Sequence, residues 1–398
     1  MLLCRVCVLW RTIAITTSEL WTQLSVLIGR EASEESQPSP QLIKMWTKRS
    51  GCQPLTLVLK DLKLHTSGAD TANRILQLFL PHIHRWKSIT LFLPNHPFPT
   101  VLMGLDTGPC QLQIAKLEFC SDSGLHTADT PQVAGLARLL TSSSQLHTLY
   151  WRSEPRVLQF VDIPWAQLTV VDLVPMWSPM FQILHLMENA PKLRSFSAFI
   201  TAGCPVVRSL LLPDLVVLWI GSEVDVGPLF RRLTVPSLQN INVLCANLDP
   251  PLPPQTDIVN CIIRSGSLLN TAIFQSLHIS NSDLIEFLRR SPSLLLFQTS
   301  DEGIITDEIL GLLTARDTPY LCPNLRIIRF LEASVSSTDG LLADMIASRR
   351  IHSTAPLSCL VVHFPEVDLR NHTADVQRLK ILGQAAGFRV WINEPETD

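Results

Sequence analysis

The sequence predicts an α/β solenoid, a run of parallel strands with helices outside them, and three observations predict it. First, a motif of Pro, any residue, Leu and an apolar-rich run recurs: "PKLRSF" from Pro191, "PDLVVL" from Pro213, "PSLQNI" from Pro236, "PSLLLF" from Pro292 and "PNLRII" from Pro323. Second, the copies are spaced as stacked repeats would be. With the looser copies "SQLHTL", "AQLTVV" and "APLSCL", the anchor leucines are Leu146, Leu168, Leu193, Leu215, Leu238, Leu294, Leu325 and Leu357. Third, amphipathic helical patterns fill the longer intervals, and a parallel strand needs such a crossover to return the chain to the same edge.

Periods of about 20 to 35 residues carrying this leucine pattern are those of a leucine-rich-repeat-like solenoid, each repeat giving one strand and one return segment. The wide gap between Leu238 and Leu294 is expected to hold one further strand, at "IFQSLHI" with Phe274 as its anchor. Strands are expected near residues 145–150, 168–172, 193–198, 215–219, 238–243, 294–298, 325–330 and 358–363. The leucines at 193, 215, 238, 294 and 325 should stack as a buried ladder.

The helices are legible in order. "SPQLIKMWTKRSG" reads as a helix closed by Gly51, followed by the strand "PLTLVL". "DTANRILQLFLPHIHRW" then "SITLFL", and "PQVAGLARLLTSS" then "LHTLYW", repeat the arrangement. "SDLIEFLRRSP" sets Leu284, Ile285, Phe287 and Leu288 on one face, with Ser282 or Asp283 as cap and Pro292 as stop. "TDEILGLLTARD" opens at Thr306, and "STDGLLADMIASRR" ends on Arg349 and Arg350, where positive charge suits a helix C-terminus. "TADVQRLKILGQAAG" followed by "FRVWI" closes the series.

Composition narrows the function classes. The 398 residues carry 32 Lys and Arg against 35 Asp and Glu, a net charge of -3, which argues against a chain built to sit on phosphate backbones. Mean hydropathy is +0.23, yet no stretch of about 18 apolar residues is present to span a membrane. "MLLCRVCVLW" is broken by Arg5 and lacks a small-residue cleavage site. The expected location is intracellular, cytoplasmic or nuclear. The ten cysteines are scattered in apolar contexts, where Cys acts as a small hydrophobe.

Several motifs invite chemistry and fall short of it. Asp106-Thr107-Gly108 and Asp122-Ser123-Gly124 are too close in sequence to come from the two lobes of an aspartic protease, and read as polar turns. Cys4 and Cys7 form a lone C-x-x-C, and His82 and His84 lack further zinc ligands. "PPLPP", Pro250 to Pro254, reads as a surface loop, with a polyproline ligand as the alternative. No phosphate-binding glycine loop and no H-E-x-x-H are present. The chain is expected to be no enzyme and to use no cofactor or metal.

The opening stretch carries a different signal. "VCVLWRTIAITTSELWTQLSV" resembles the second half of an F-box, whose pattern runs Val-Cys, Trp-Arg, a short apolar helix and a Leu-Trp turn. Val6, Cys7, Trp10, Arg11, Ile13, Ala14, Leu20 and Trp21 occupy the matching positions. "LIKMWTKRSGCQPLTLVL" is similar to the segment that follows the F-box in the large F-box families of mushroom-forming fungi. The resemblance covers about the first 60 residues. It implies a substrate-recognition subunit that docks on the Skp1-like adaptor of a cullin ubiquitin ligase, with Val6, Cys7, Trp10, Arg11, Leu20 and Trp21 as the docking residues. It also implies a partial all-helical F-box over residues 1–29; the acidic Ser/Pro stretch over 30–40 reads from its composition as a linker, and the repeats set the solenoid over 41–398.

A whole F-box begins with a Leu-Pro-x-Glu helix and a second helix that this sequence does not show, so the chain is expected to start partway through the domain. Trp10 and Trp21 should then be incompletely covered. The alternative function is a leucine-rich scaffold without a ligase, in which the first helix is a plain cap and both tryptophans lie on the first repeat near Leu55, Leu57 and Leu59.

Overall fold

The computed structural model of the chain describes residues 6–28, 39–61, 69–93, 100–102, 110–119, 134–152, 163–205, 208–245, 253–315, 320–353, 355–365 and 369–393. They fall into two units, Met1–Trp177 with Asn189–Leu193, and Ser178–Glu188 with Arg194–Asp398.

The first unit runs α1 (Val8–Thr16), a 3-10 turn (Ser18–Trp21), β1 (Gln23–Ile28), α2 (Pro40–Arg49), β2 (Leu55–Asp61) and α3 (Ala69–Phe79). A 3-10 helix (Leu80–Arg85), β3 (Trp86–Leu93), β4 (Ile114–Phe119), α4 (Ala134–Ser142), β5 (Thr148–Arg152) and β6 (Val170–Pro179) follow. Strands β1 to β6 pair in sequence order and every pair is parallel.

The second unit opens with α5 (Met180–Asn189), β7 (Ser195–Ala202), the short β8 (Leu210–Leu211), β9 (Val217–Ser222), α6 (Gly227–Arg232), the short β10 (Leu233–Thr234) and β11 (Asn240–Cys245). It continues with α7 (Thr256–Ser265), β12 (Thr271–Gln275), α8 (Asn281–Arg290), β13 (Leu296–Thr299) and α9 (Asp307–Leu313). The last elements are β14 (Ile327–Phe330), α10 (Leu341–His352), β15 (Cys359–Val362), α11 (Thr373–Leu382) and β16 (Arg389–Ile392). Its sheet has the order β7, β9, β11 to β16, again parallel throughout, while β8 and β10 pair apart from it. Each unit is therefore α/β, with repeat-like parallel strands.

The Pro-x-Leu motif is a β-turn. The Leu N–H donates to the carbonyl of the residue before the proline: Leu193 to Ala190 (3.2 Å), Leu238 to Val235 (3.1 Å), Leu294 to Ser291 (3.2 Å) and Leu325 to Cys322 (3.1 Å). Proline presets the first central residue of such a turn. The strand begins two residues after each anchor, at 195, 217, 240, 296 and 327, not at the anchor itself. The anchors Leu193, Leu215, Leu238, Leu294 and Leu325 are fully buried, as the ladder requires. The third and fifth residues beyond each anchor point the same way, as in Phe196 and Ala198 or Ile328 and Phe330, and these are buried too. The helices pack on this face: the Phe287 ring of α8 lies 5.0 Å from Phe274 of β12.

Four expectations need correction. The strand in the wide gap is anchored by Leu269, two residues before β12, and Phe274 lies inside the strand; without a Pro-x-Leu turn the anchor carries no strong mark. Residues 23–28, assigned to an all-helical F-box piece, form β1, whose backbone is paired with β2. Ser39 and Pro40, assigned to the linker, open α2: Ser39 Oγ accepts from the Leu42 N–H (3.3 Å), and Pro40 takes the first helical position, where its missing N–H is not needed. The rest of the linker, 30–38, lies outside the described residues. The cap of α8 is Ser280, whose Oγ accepts from the Asp283 N–H (3.1 Å), two residues or more before the expected position.

Arg349 stands in the last turn of α10, as expected, and is fully buried. Its guanidinium donates to the carbonyls of Leu313 (2.6 Å), Cys322 (2.9 Å) and Leu321, tying α10 to the preceding repeat. Among the described residues, no helix is long and apolar enough to cross a membrane.

Candidate functional site: the opening helix

α1 follows Cys7, the N-cap residue, whose side chain makes no cap bond. Thr12 and Thr17 instead turn their hydroxyls back onto the helix, donating to the carbonyls of Val8 (3.0 Å) and Ile13 (2.8 Å). Of the nine helical residues, Ala14 alone is buried. The helix is thus held from one side, at its C-terminal half.

Trp21 does the holding. Its indole N–H donates to the Ala14 carbonyl (2.5 Å), its ring meets Trp46 of α2 edge-on at 4.9 Å, and the Arg49 guanidinium lies 4.6 Å from its centre. Trp21 is 1% exposed and stands two residues before β1, the place the anchor leucines hold before later strands. The expectation of two half-covered tryptophans therefore fails for Trp21, because its ring fills the first rung of the buried ladder. It holds for Trp10, which is 50% exposed.

The six residues singled out in the sequence divide accordingly. Val6, Cys7, Trp10, Arg11 and Leu20 are exposed, and Trp21 is internal. Val8, Leu9 and Ile13 join the exposed group at 74%, 66% and 52%. Sequence reasoning omitted Val8 and Leu9, although both lie inside the quoted motif. Contiguous apolar exposure of this kind marks an interaction surface more often than a free one.

The reactive-looking groups have structural roles. Burial pushes the thiols of Cys245 and Cys322 up to about 12 and that of Cys261 to about 11, so they are inert hydrophobes. His82 and His84 sit in the 3-10 helix Leu80–Arg85, and burial followed by the Arg85 charge pushes His82 down. Among the described residues, Asp339, His372 and Asp375 could reach a single ion. Asp339 accepts from the N–H groups of Ala374 (3.0 Å) and Asp375 (2.9 Å), capping α11. Asp375 accepts from the Ala343 N–H (2.8 Å) and lies 3.1 Å from His372 Nδ1. These bonds join consecutive helices. The Asp-x-Gly tripeptides at 106 and 122, Cys4 and the stretch Pro250 to Leu252 lie outside the described residues, while Pro253 and Pro254 precede α7.

No protein-family model matches the sequence, and no curated protein matches it.

Proposed function

We propose that the chain is a non-catalytic recognition protein that docks on a Skp1-like adaptor of a cullin ubiquitin ligase through the opening helix and presents a target on its repeats. One observation carries this reading. α1 is fastened to the array at Ala14 and Trp21, and it leaves Val8, Leu9, Trp10 and Ile13 facing solvent. A helix whose only task was to cover the end of a solenoid would turn that apolar side inward. The resemblance of Val6 to Trp21 to the second half of an F-box supplies the kind of partner. The target would meet the sheet face that the helices leave uncovered.

The second reading, a leucine-rich scaffold without a ligase, is favoured by Trp21, since a residue in the first rung of the ladder belongs to the array as a terminal repeat does. The two readings separate in a co-purification of the chain with a recombinant Skp1-like adaptor, using Leu9→Glu and Trp10→Ala as controls. Capture that both substitutions abolish, with unchanged thermal unfolding, supports adaptor docking. No capture, or capture that neither substitution weakens, leaves the scaffold.

A further inference from the structure

In the first unit, the side of the sheet that faces away from the buried ladder carries charge across four strands. Strand register sets the side chains in two rows: Thr90, Lys116, Tyr150 and Asp172 in one, and Lys60, Phe92, Glu118 and Arg152 in the other. Between the rows lies a cavity of about 240 Å³ whose lining includes Lys60, Phe92, Lys116, Glu118, Tyr150 and Arg152. That is below the roughly 300–1,000 Å³ of small-molecule pockets, and it suits one side chain of a larger partner.

The charges there are unevenly partnered. Arg152 lies 3.4 Å from Asp172 and 3.8 Å from Glu118, so one guanidinium serves both carboxylates. The Lys116 ammonium stands 4.6 Å from the centre of the Tyr150 ring, a contact that leaves its charge uncompensated. Among the described residues, neither Lys116 nor Lys60 is ion-paired with a carboxylate. Three cations against two anions leave one positive charge, and Lys60 and Lys116, neither of them ion-paired, line the cavity together with Thr90 and Phe92.

We propose that this cavity receives an acidic side chain of an extended partner polypeptide, its carboxylate held between Lys60 and Lys116 and its methylenes against Phe92. A single negative charge completes the local balance. A doubly charged phosphate would overshoot that balance and double the repulsion from Glu118, which lines the same space. The assignment rests on reading the chain as a recognition protein, and it is independent of what α1 binds.

The test uses the full chain and no adaptor. The probe is a fluorescein-labelled peptide, Gly-Ser-Val-Glu-Val-Ser-Gly, with two companions that carry Gln or phosphoserine in place of Glu. Polarisation titrations should show the Glu peptide binding best, with a loss of about fivefold for Lys60→Gln and again for Lys116→Gln, and no change for Lys48→Gln on the exposed side of α2. Carbodiimide coupling of the Glu peptide should map by mass spectrometry to Lys60 or Lys116. Equal binding of the Gln peptide, tighter binding of the phosphoserine peptide, insensitivity to both lysine substitutions, or coupling spread evenly over surface lysines would each overturn the assignment. Adaptor capture by α1 could succeed or fail without moving any of these readouts.

Discussion

The two units solve the interior in one way and the uncovered sheet face in two. Inside, the same anchor and the same third and fifth positions are buried from Leu149 and Trp151 on β5 to Leu360 and Val362 on β15. Outside, the row that holds the fourth position beyond each anchor reads Ser25, Val58, Thr90, Lys116, Tyr150, Asp172 in the first unit. In the second it reads Ser197, Trp219, Asn242, Ile273, Gln298, Arg329, Val361, Trp391. The first row carries charge only over β4 to β6, at Lys116 and Asp172, and the second is aromatic, amide and aliphatic with one serine and a single cation. A repeat array must keep its inward positions alike for each unit to cover the next, and it is free to vary the outward ones. Variation between repeats therefore falls on the outward positions, and the two units offer different surfaces.

The comparison breaks first if the inward rule is not what holds the repeats. Leu294→Ala should lower unfolding free energy by about 2–5 kcal/mol, as truncation of a fully buried leucine does, while Leu295→Ala next to it, on a side chain 40% exposed, should stay within about 1 kcal/mol. Urea unfolding of the two variants measures the difference. Equal losses would mean that the anchor is not the unit of packing.

Much of the inward rule was legible in the sequence, and the reason is physical. Pro at the second turn position, Leu at the fourth and an apolar run after it are one device, so a short string reports turn, anchor and strand together. The strand of the Leu269 repeat was legible but its anchor was not, because Ser267 and Leu268 carry no turn signal of that strength. The outward chemistry was not legible. Whether Lys60 neighbours Phe92, and Lys116 neighbours Tyr150, depends on strand register, which pairs residues 32 and 34 apart and shifts by a bulge at Leu55 and Thr56. At the opening helix the residues were legible as a motif and their burial was not. Trp10 and Trp21 look alike in sequence, yet only Trp21 stands two residues before a strand.

A smaller effect sharpens the description of the second unit's outward face. Gly221 lies beside Phe199 in register, and a Cβ built there would overlap the Phe199 ring and come within 2.7 Å of Trp219 Cη2. Absence of a side chain lets both rings fold over the backbone, which makes that face apolar and closely packed. Gly221→Ala should lower stability by about 1–3 kcal/mol through overpacking, and near-ultraviolet circular dichroism should report displacement of Trp219. Substitution without either change would mean that the rings do not share that packing.

The smallest effect separates the faces by pH. On the charged face, burial is the largest influence on Glu118 and pushes its carboxyl above the ordinary value of 4.5; Arg152 opposes the shift and Asp172 adds to it. The folded chain therefore holds this proton more tightly than the unfolded chain does. Stability from the group is complete below pH 4.5 and is lost as pH rises through the raised value. Glu118→Gln cannot ionise and escapes that loss, so its urea midpoint relative to the unsubstituted chain should rise between about pH 4 and about pH 7. A relative midpoint for Glu118→Gln that falls with pH would show that the contact with Arg152 outweighs burial, and that the charged face is held together by its ion pairs.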